Sequence, residues 1–217
     1  MQLCVGTVVE GKVSKITGFG AFVDIDGGGS GMVHISEVAN TYVKDINDHL
    51  KVGDAVKAKV VAINENNKIA LSIKAHFHAH RADDICTAIR IAKEFNLDAV
   101  IIHCTEGYLV PEALLDGGCI ASVGPIISDR TKPELRNQER YNAAKLTEAG
   151  VPVAFKTDAL VFPIDLLAAS AKIAVLAGLP WQQALESLTI RSAEAAGVAD
   201  EIGSVTVGKR ADLLVFS

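Results

Sequence analysis

The stretch HFHAHRADD, His76–Asp84, divides two different sequence patterns. In a β-strand, alternate residues share a face. His76, His78 and His80 would then project together, with Phe77 and Ala79 on the other side. Imidazoles at that spacing can converge on a metal ion. Asp83 and Asp84 follow at the expected start of a helix, where negative charge suits the N-terminal dipole. Upstream of this stretch the chain reads as short strands. Downstream, strands alternate with helices.

Upstream, GTVVEGKVSKI alternates β-branched and polar residues, the period-2 signature of a strand. GFGAFVDI follows, with Gly18 and Gly20 allowing a tight bend or bulge. Asp26-Gly27-Gly28-Gly29 is a turn signal, and SGMVHIS reads as a third strand. Ser36–Leu50 is polar and irregular, consistent with one short helical turn and a loop. VGDAVKAKVVAI is a fourth strand, Asn64–Asn67 a hairpin turn and KIALSIK a fifth strand. Five short strands, expected to be antiparallel, in about 75 residues suggest a closed OB-type barrel. Closure removes exposed edges from a small domain.

The series KITGFGAFVDI, GMVHISEV, YVKDI, LKVGDAVKAKVVAIN and KIALSIK resembles an S1 RNA-binding domain over roughly residues 5–74. The resemblance implies single-stranded RNA as partner. It places the RNA face on Phe19, Phe22, His34 and Lys68. The chemistry suits single strands, because an aromatic face stacks on any unpaired base for about 1–3 kcal/mol. A lysine adds phosphate attraction. On composition alone, Phe19 and Phe22 could equally fill the barrel.

Downstream of the histidines, Ile85, Ala88, Ile89, Ala92 and Phe95 form the apolar stripe of a helix that ends at Asn96-Leu97-Asp98. AVIIHC is a continuous apolar run, as in a buried parallel strand. VPEALLDGG is a short helix closed by Gly117, and CIASVGP the next strand. Thr131–Ala149 is expected to be one long polar helix, and VPVAFKTD a strand. Pro163–Gly178 and Pro180–Ala196 are expected as helices. GSVTVGKRADLLVFS is expected as two short strands around a Gly-Lys turn. Successive βα units argue for a parallel α/β architecture. Sites in such folds gather at the C-terminal strand ends. His78, His80, His103 and Asp158 fall at such ends.

The words HAHRADDI, IIHCTEGY, KTDALVFP and IGSVTVGKRADLLVFS resemble the C-terminal half of a metal-dependent amidohydrolase, over about residues 75–217. The resemblance implies one zinc site at most, with His78, His103 and Asp158 as metal ligands and Asp158 also as the catalytic proton shuttle. His80 would be a substrate or second-shell residue, and an exchange of roles with His78 stays open. Such a zinc ion keeps a position for water and lowers its pKa to about 7. The implied reaction is hydrolysis of C–N bonds in linear or cyclic amides. The family's first HxH pair and its metal-bridging lysine have no counterpart here. A full eight-fold barrel takes about 250 residues, and this segment has 142. The expectation is therefore a half TIM barrel, enzymatically active only if a homodimer completes it.

Composition limits the remaining classes. The chain has 217 residues, 49 % hydrophobic and 22 % charged, as in a globular protein. No apolar run approaches the ~20 residues of a membrane span. The N-terminus lacks a basic region followed by an apolar core, so a cytoplasmic location is expected. The four cysteines form no C-x-x-C pair and read as reduced thiols. Residues 1–75 balance eight lysines against eight acids, so the net charge of −5 resides wholly downstream. Neither part is a polycation, and nucleic-acid binding would need a local patch.

The sequence thus predicts a multidomain chain: an OB-fold barrel over residues 1–75, then an α/β half TIM barrel over 76–217. No Gly, Ser or Pro linker separates the patterns at Lys74–Ala75. Two unrelated pieces abutting there suggest a shuffled fusion.

Overall fold

The structure, a computed structural model, describes residues 3–5, 7–38, 45–64, 67–94, 97–128, 130–159 and 161–214. Phe95 and Asn96 of the expected helix, the tip of the 64–67 turn and the last three residues lie outside the described residues. The chain divides into two compact units. One is Met1–Ala75 with Ile91–Asp98, and the other is His76–Arg90 with Ala99–Ser217.

In the first unit, β1 (Val8–Thr17), β2 (Gly20–Ile25), β3 (Ser30–His34), β4 (Ala55–Ile63) and β5 (Ile69–Ser72) close a barrel in the order β1-β2-β3-β5-β4. The alternation read from the sequence is the alternation of burial. In β1, Val9, Gly11 and Val13 point inward while Glu10, Lys12 and Ser14 are exposed. Val13, Val23, Val33, Val60 and Leu71 are almost fully buried in one core. Each such side chain contributes roughly 1.5–3 kcal/mol on burial. One feature differs from the expected antiparallel barrel. The closing pair, β3 with β5, is parallel, with Gly31 opposite Ile69 and Val33 opposite Leu71. Local periodicity sets which face is buried and is silent on strand direction. The bend allowed by the glycines is the tight turn at Gly18 and Phe19, and a separate irregularity of β1 falls between Val13 and Lys15, at Ser14. Ser14 there donates to Asp24 Oδ1 at 3.0 Å. In the 36–50 region, short 3-10 turns occupy Ile35–Glu37 and Ile46–Asp48. The Asp45 carboxylate caps the second by accepting from Asn47 N.

The second unit is built on a four-stranded sheet in the order β6 (Lys74–Ala79), β7 (Asp98–His103), β8 (Ile120–Val123), β9 (Val153–Phe155), of which it contains all but the first residues of β6 and β7. β7 and β8 run parallel, as do β8 and β9. Every residue of β8 and β9 is buried, as continuous apolar runs require. The helices are α1 (Ala82–Glu94), α2 (Pro111–Asp116), α3 (Asn142–Glu148), α4 (Leu167–Leu176), α5 (Trp181–Leu188) and α6 (Ile190–Ala196). Asp83 and Asp84 lie in the first turn of α1, and Ile85, Ala88, Ile89 and Ala92 are its buried stripe. Ala195 of α6 packs against Val100, Ile120 and Ala154 on one face of the sheet.

Three expectations are corrected here. The run 131–149 is not one long helix. It is a 3-10 turn at Pro133–Leu135, an irregular link and then α3. The link is held by side chains: Asn137 Nδ2 donates to Glu106 Oε1 and Gln138 Nε2 to the Pro125 carbonyl, at 2.8 and 2.7 Å. These long-range bonds outcompete helix continuation. The 180–196 helix is broken at Thr189 (φ −120°, ψ −95°), whose hydroxyl donates back to the Leu185 carbonyl at 2.7 Å. The tail forms no strand among its described residues 203–214. Val205, Val207 and Leu214 stay exposed at 84 % or more. A strand needs a ladder partner, and none of the described chain supplies one.

Candidate functional sites

On the barrel, the β2–β3 ladder places Phe22 opposite Met32 and Gly20 opposite His34. The same row continues to Lys15 on one side and Ala70 on the other. The inward neighbours Ala21, Val23 and Val33 are completely buried, so Phe22, Met32 and His34 occupy the outer face. Phe19 lies in the turn between β1 and β2 and is 54 % exposed. Its carbonyl accepts from Ile35 N at 2.9 Å, which ties that turn to the end of β3. Phe19 and Phe22 are thus absent from the barrel core, and the alternative in which they fill it does not hold. Lys68 is exposed just before β5. Its backbone N–H bonds Asn64 Oδ1 at 2.9 Å and its carbonyl accepts from Asn64 N, which fixes the base of the turn. Ser30 and His34 mark the two ends of β3. At about 3.3 Å per residue they are roughly 13 Å apart, and Lys68 adjoins the Ser30 end. The arrangement is an aromatic strip with a cation at one end and lysine 15 along its flank.

In the second unit, three histidine rings gather at the ends of β6 and β7. His80 stacks on His103 at 4.3 Å between centroids, 18° from parallel. His78 is 5.2 Å from His103, tilted by 54°. His76 is separate: its Nε2 lies 3.3 Å from the Ala195 carbonyl of α6. His80 Nδ1 lies 2.8 Å from Thr105 Oγ1. His103 Nδ1 lies 2.8 Å from the Gly124 carbonyl. A carbonyl only accepts, so Nδ1 carries the proton and Nε2 keeps its lone pair. Burial pushes the His103 imidazole down to about 4, aided by the Lys156 ammonium and opposed by the Gly124 bond. Burial also lowers His80.

The sequence reading missed Lys156. Its Nζ lies 3.4 Å from His103 Nε2 and 2.9 Å from Asp158 Oδ1. The hydrogen bond from Lys156 holds the Asp158 carboxyl below its usual range. The signal was in KTD: Lys156 and Asp158, two apart at a strand end, can face one way. The backbone is committed to this geometry. His103 (φ 72°) and Asp158 (φ 62°) both adopt the left-handed region, which costs a non-glycine residue of order 1 kcal/mol. Gly124 sits at φ 135°, and a Cβ there would run into the Lys156 carbonyl. Glycine is what lets the ends of β8 and β9 approach. Glu106 is buried; it accepts from Ala82 N and from Asn137, both at 2.8 Å, and so braces the loop after β7. A cavity of about 190 Å³ adjoins the cluster, lined in part by His80, His103, Thr105, Gln138 and Asp158.

The residues do not fit a divalent ion as they stand. Among the described residues, no three His, Cys, Asp or Glu side chains converge as a metal-holding group. His103 and Asp158 instead share the Lys156 ammonium, and His80 rather than His78 stacks on His103.

Residues 3–74 match the family model for the S1 RNA binding domain, and the barrel is a domain of that kind. The same region is 60 % identical over 74 residues to YabR of Bacillus subtilis (strain 168), described as an uncharacterized protein. That match takes in 34 % of this chain and 58 % of the relative. The second unit has amidohydrolase and peptidase structural neighbours. An amidohydrolase from Thermotoga maritima MSB8 superposes with a TM-score of 0.61 at 41 % identity, over 64 % of this chain and 36 % of that one. A Xaa-Pro dipeptidase with bound methionine in its active site superposes with a TM-score of 0.50 at 25 % identity, over 64 % of this chain and 37 % of that one. The chain therefore spans just over half of its curated relative and little more than a third of these enzymes.

Proposed function

We propose that the protein binds single-stranded RNA through the outer face of the barrel, with Phe19 and Phe22 stacking on bases, His34 beside them and Lys68 drawing the phosphate backbone. The observation that carries this reading is the placement of both phenylalanines outside a complete apolar core. Aromatic surface grouped on one exposed face beside a filled core is the mark of an interaction site. The test is a fluorescence-anisotropy titration of a labelled single-stranded oligoribonucleotide at low salt, with the same sequence as duplex for comparison. Saturable binding that prefers the single strand supports the reading. Absence of binding to either would overturn it.

For the second unit we infer descent from the metal-dependent amidohydrolases, as half of a TIM barrel, supported by 41 % identity to the Thermotoga enzyme and by His103 and Asp158 at strand ends. Hydrolysis of a C–N bond by a completed dimer is the enzymatic form of this reading. Two features oppose it in the chain as folded: Lys156 holds the ligand residues, and α6 lies on the sheet face toward which His76 turns. A second half-barrel would have to displace α6. Light scattering should therefore give a monomer, and amide substrates should not turn over. A dimer carrying one zinc ion per chain and hydrolysing an amide would establish the enzymatic form.

A further inference from the structure

We infer that the ammonium of Lys156 is an internal cation of the strand-end cluster and competes with a divalent metal ion for His103 and Asp158. The geometry is that of a bridge. One amine donates to the lone pair of a neutral imidazole and to a carboxylate oxygen, at 3.4 and 2.9 Å. These are about 1 Å longer than zinc–nitrogen and zinc–oxygen bonds, so the cluster is set to hydrogen-bond spacing. The Gly124 carbonyl fixes the His103 tautomer that leaves Nε2 unprotonated, the form that either cation requires. The Lys156 side chain is only 17 % exposed, so it is held in the cluster rather than extended into water.

Taking away the ammonium leaves a bare imidazole nitrogen and a carboxylate facing one position, with His78 and His80 rings 5.2 and 4.3 Å from His103. Imidazole and carboxylate donors of this kind suit zinc. The inference does not depend on RNA binding. It deepens the account of the second unit by making Lys156 the group that a metal ion would have to displace.

The test is zinc binding to the full chain, by calorimetric titration of zinc chloride and elemental analysis after dialysis. Lys156→Met keeps the length of the stem and removes the charge. Its expected result is one zinc per chain, bound at least tenfold more tightly than by the unsubstituted protein. Lys156→Met with His103→Ala should lose that gain. Equal affinity in Lys156→Met and the unsubstituted protein, including no binding by either, overturns the inference. A second measurement covers misfolding of the variant. In the unsubstituted protein, zinc raised to millimolar concentration should increase acetylation of Lys156 by an amine-reactive ester, read by peptide mass spectrometry. Unchanged labelling overturns the inference without any substitution.

Discussion

Phe22 and Met32 stand directly opposite each other across the β2–β3 ladder, on the outside of the barrel, with Lys15 continuing the row on β1. The inward partners on either side are fully buried, so this outer row contributes little to the core. It offers a ring, a polarisable thioether and a cation in one line. Cross-strand register, rather than any sequence word, brings Lys15 and Met32 to the face of Phe19, Phe22 and His34.

Phe19→Ala should separate binding from stability. Phe19 is more than half exposed, so its loss should change folding stability by no more than about 0.5 kcal/mol. Loss of one stacking platform of about 1–3 kcal/mol should weaken RNA binding about five- to 150-fold. Urea denaturation and anisotropy on the same sample would show the split. Equal losses in both would assign Phe19 to structure.

Lys15→Ala and Lys68→Ala should weaken binding in a salt-dependent way. Each removed phosphate contact should lower the slope of log K against log salt by about 0.7 for a single strand. A slope unaltered in Lys15→Ala would take β1 out of the interface.

Two glycines of the first unit should behave oppositely when replaced by alanine. A Cβ at Gly11 would meet the Asp24 backbone carbonyl, whereas nothing lies within 4 Å of one at Gly18. Gly11→Ala should destabilise the barrel by about 1–3 kcal/mol. Gly18→Ala should stay within about 0.5 kcal/mol of the parent. Thermal melting of both variants is the check.

The four thiols should fall into two classes with a thiol-reactive dye. Cys4 and Cys86 are exposed, while Cys104 and Cys119 are buried. Burial raises the Cys104 thiol well above its ordinary pKa, which keeps it unreactive. Two thiols should label in native buffer and two more only in denaturant.

Removing the Glu106 carboxylate should weaken the second unit. Glu106→Ala leaves the Ala82 N–H and the Asn137 amide without their acceptor. Two lost part-buried bonds predict a cost of about 1–3 kcal/mol. Hydrogen exchange of Ala82 and its neighbours should accelerate, and an unchanged rate would contradict this role.

Much of the barrel was legible because period-2 alternation is a local property, visible in Val9, Val13, Val23 and Val33 as apolar positions. The parallel β3–β5 closure was not, since strand direction is settled by a long-range partner. His76, His78 and His80 alternate as read, but their fates diverge through distant groups: a carbonyl on α6, the ring of His103 and the hydroxyl of Thr105. Lys156 stands in the word KTDALVFP, but the resemblance gives a role to Asp158 only, and the contact of the lysine with His103 comes from a distant strand. The 131–149 helix failed for a similar reason. Its polar residues suit a solvated helix by composition, yet Asn137 and Gln138 find long-range partners in Glu106 and the Pro125 carbonyl that no local pattern announces.

The most direct measurement of the central claim is an amide chemical-shift map of the full chain during titration with a short single-stranded oligouridylate. The account predicts perturbations concentrated at residues 15, 19–22, 32–34 and 68–70, with the second unit unmoved. Shifts confined to the second unit, or to the Val8–Lys59 side of the barrel, would contradict it.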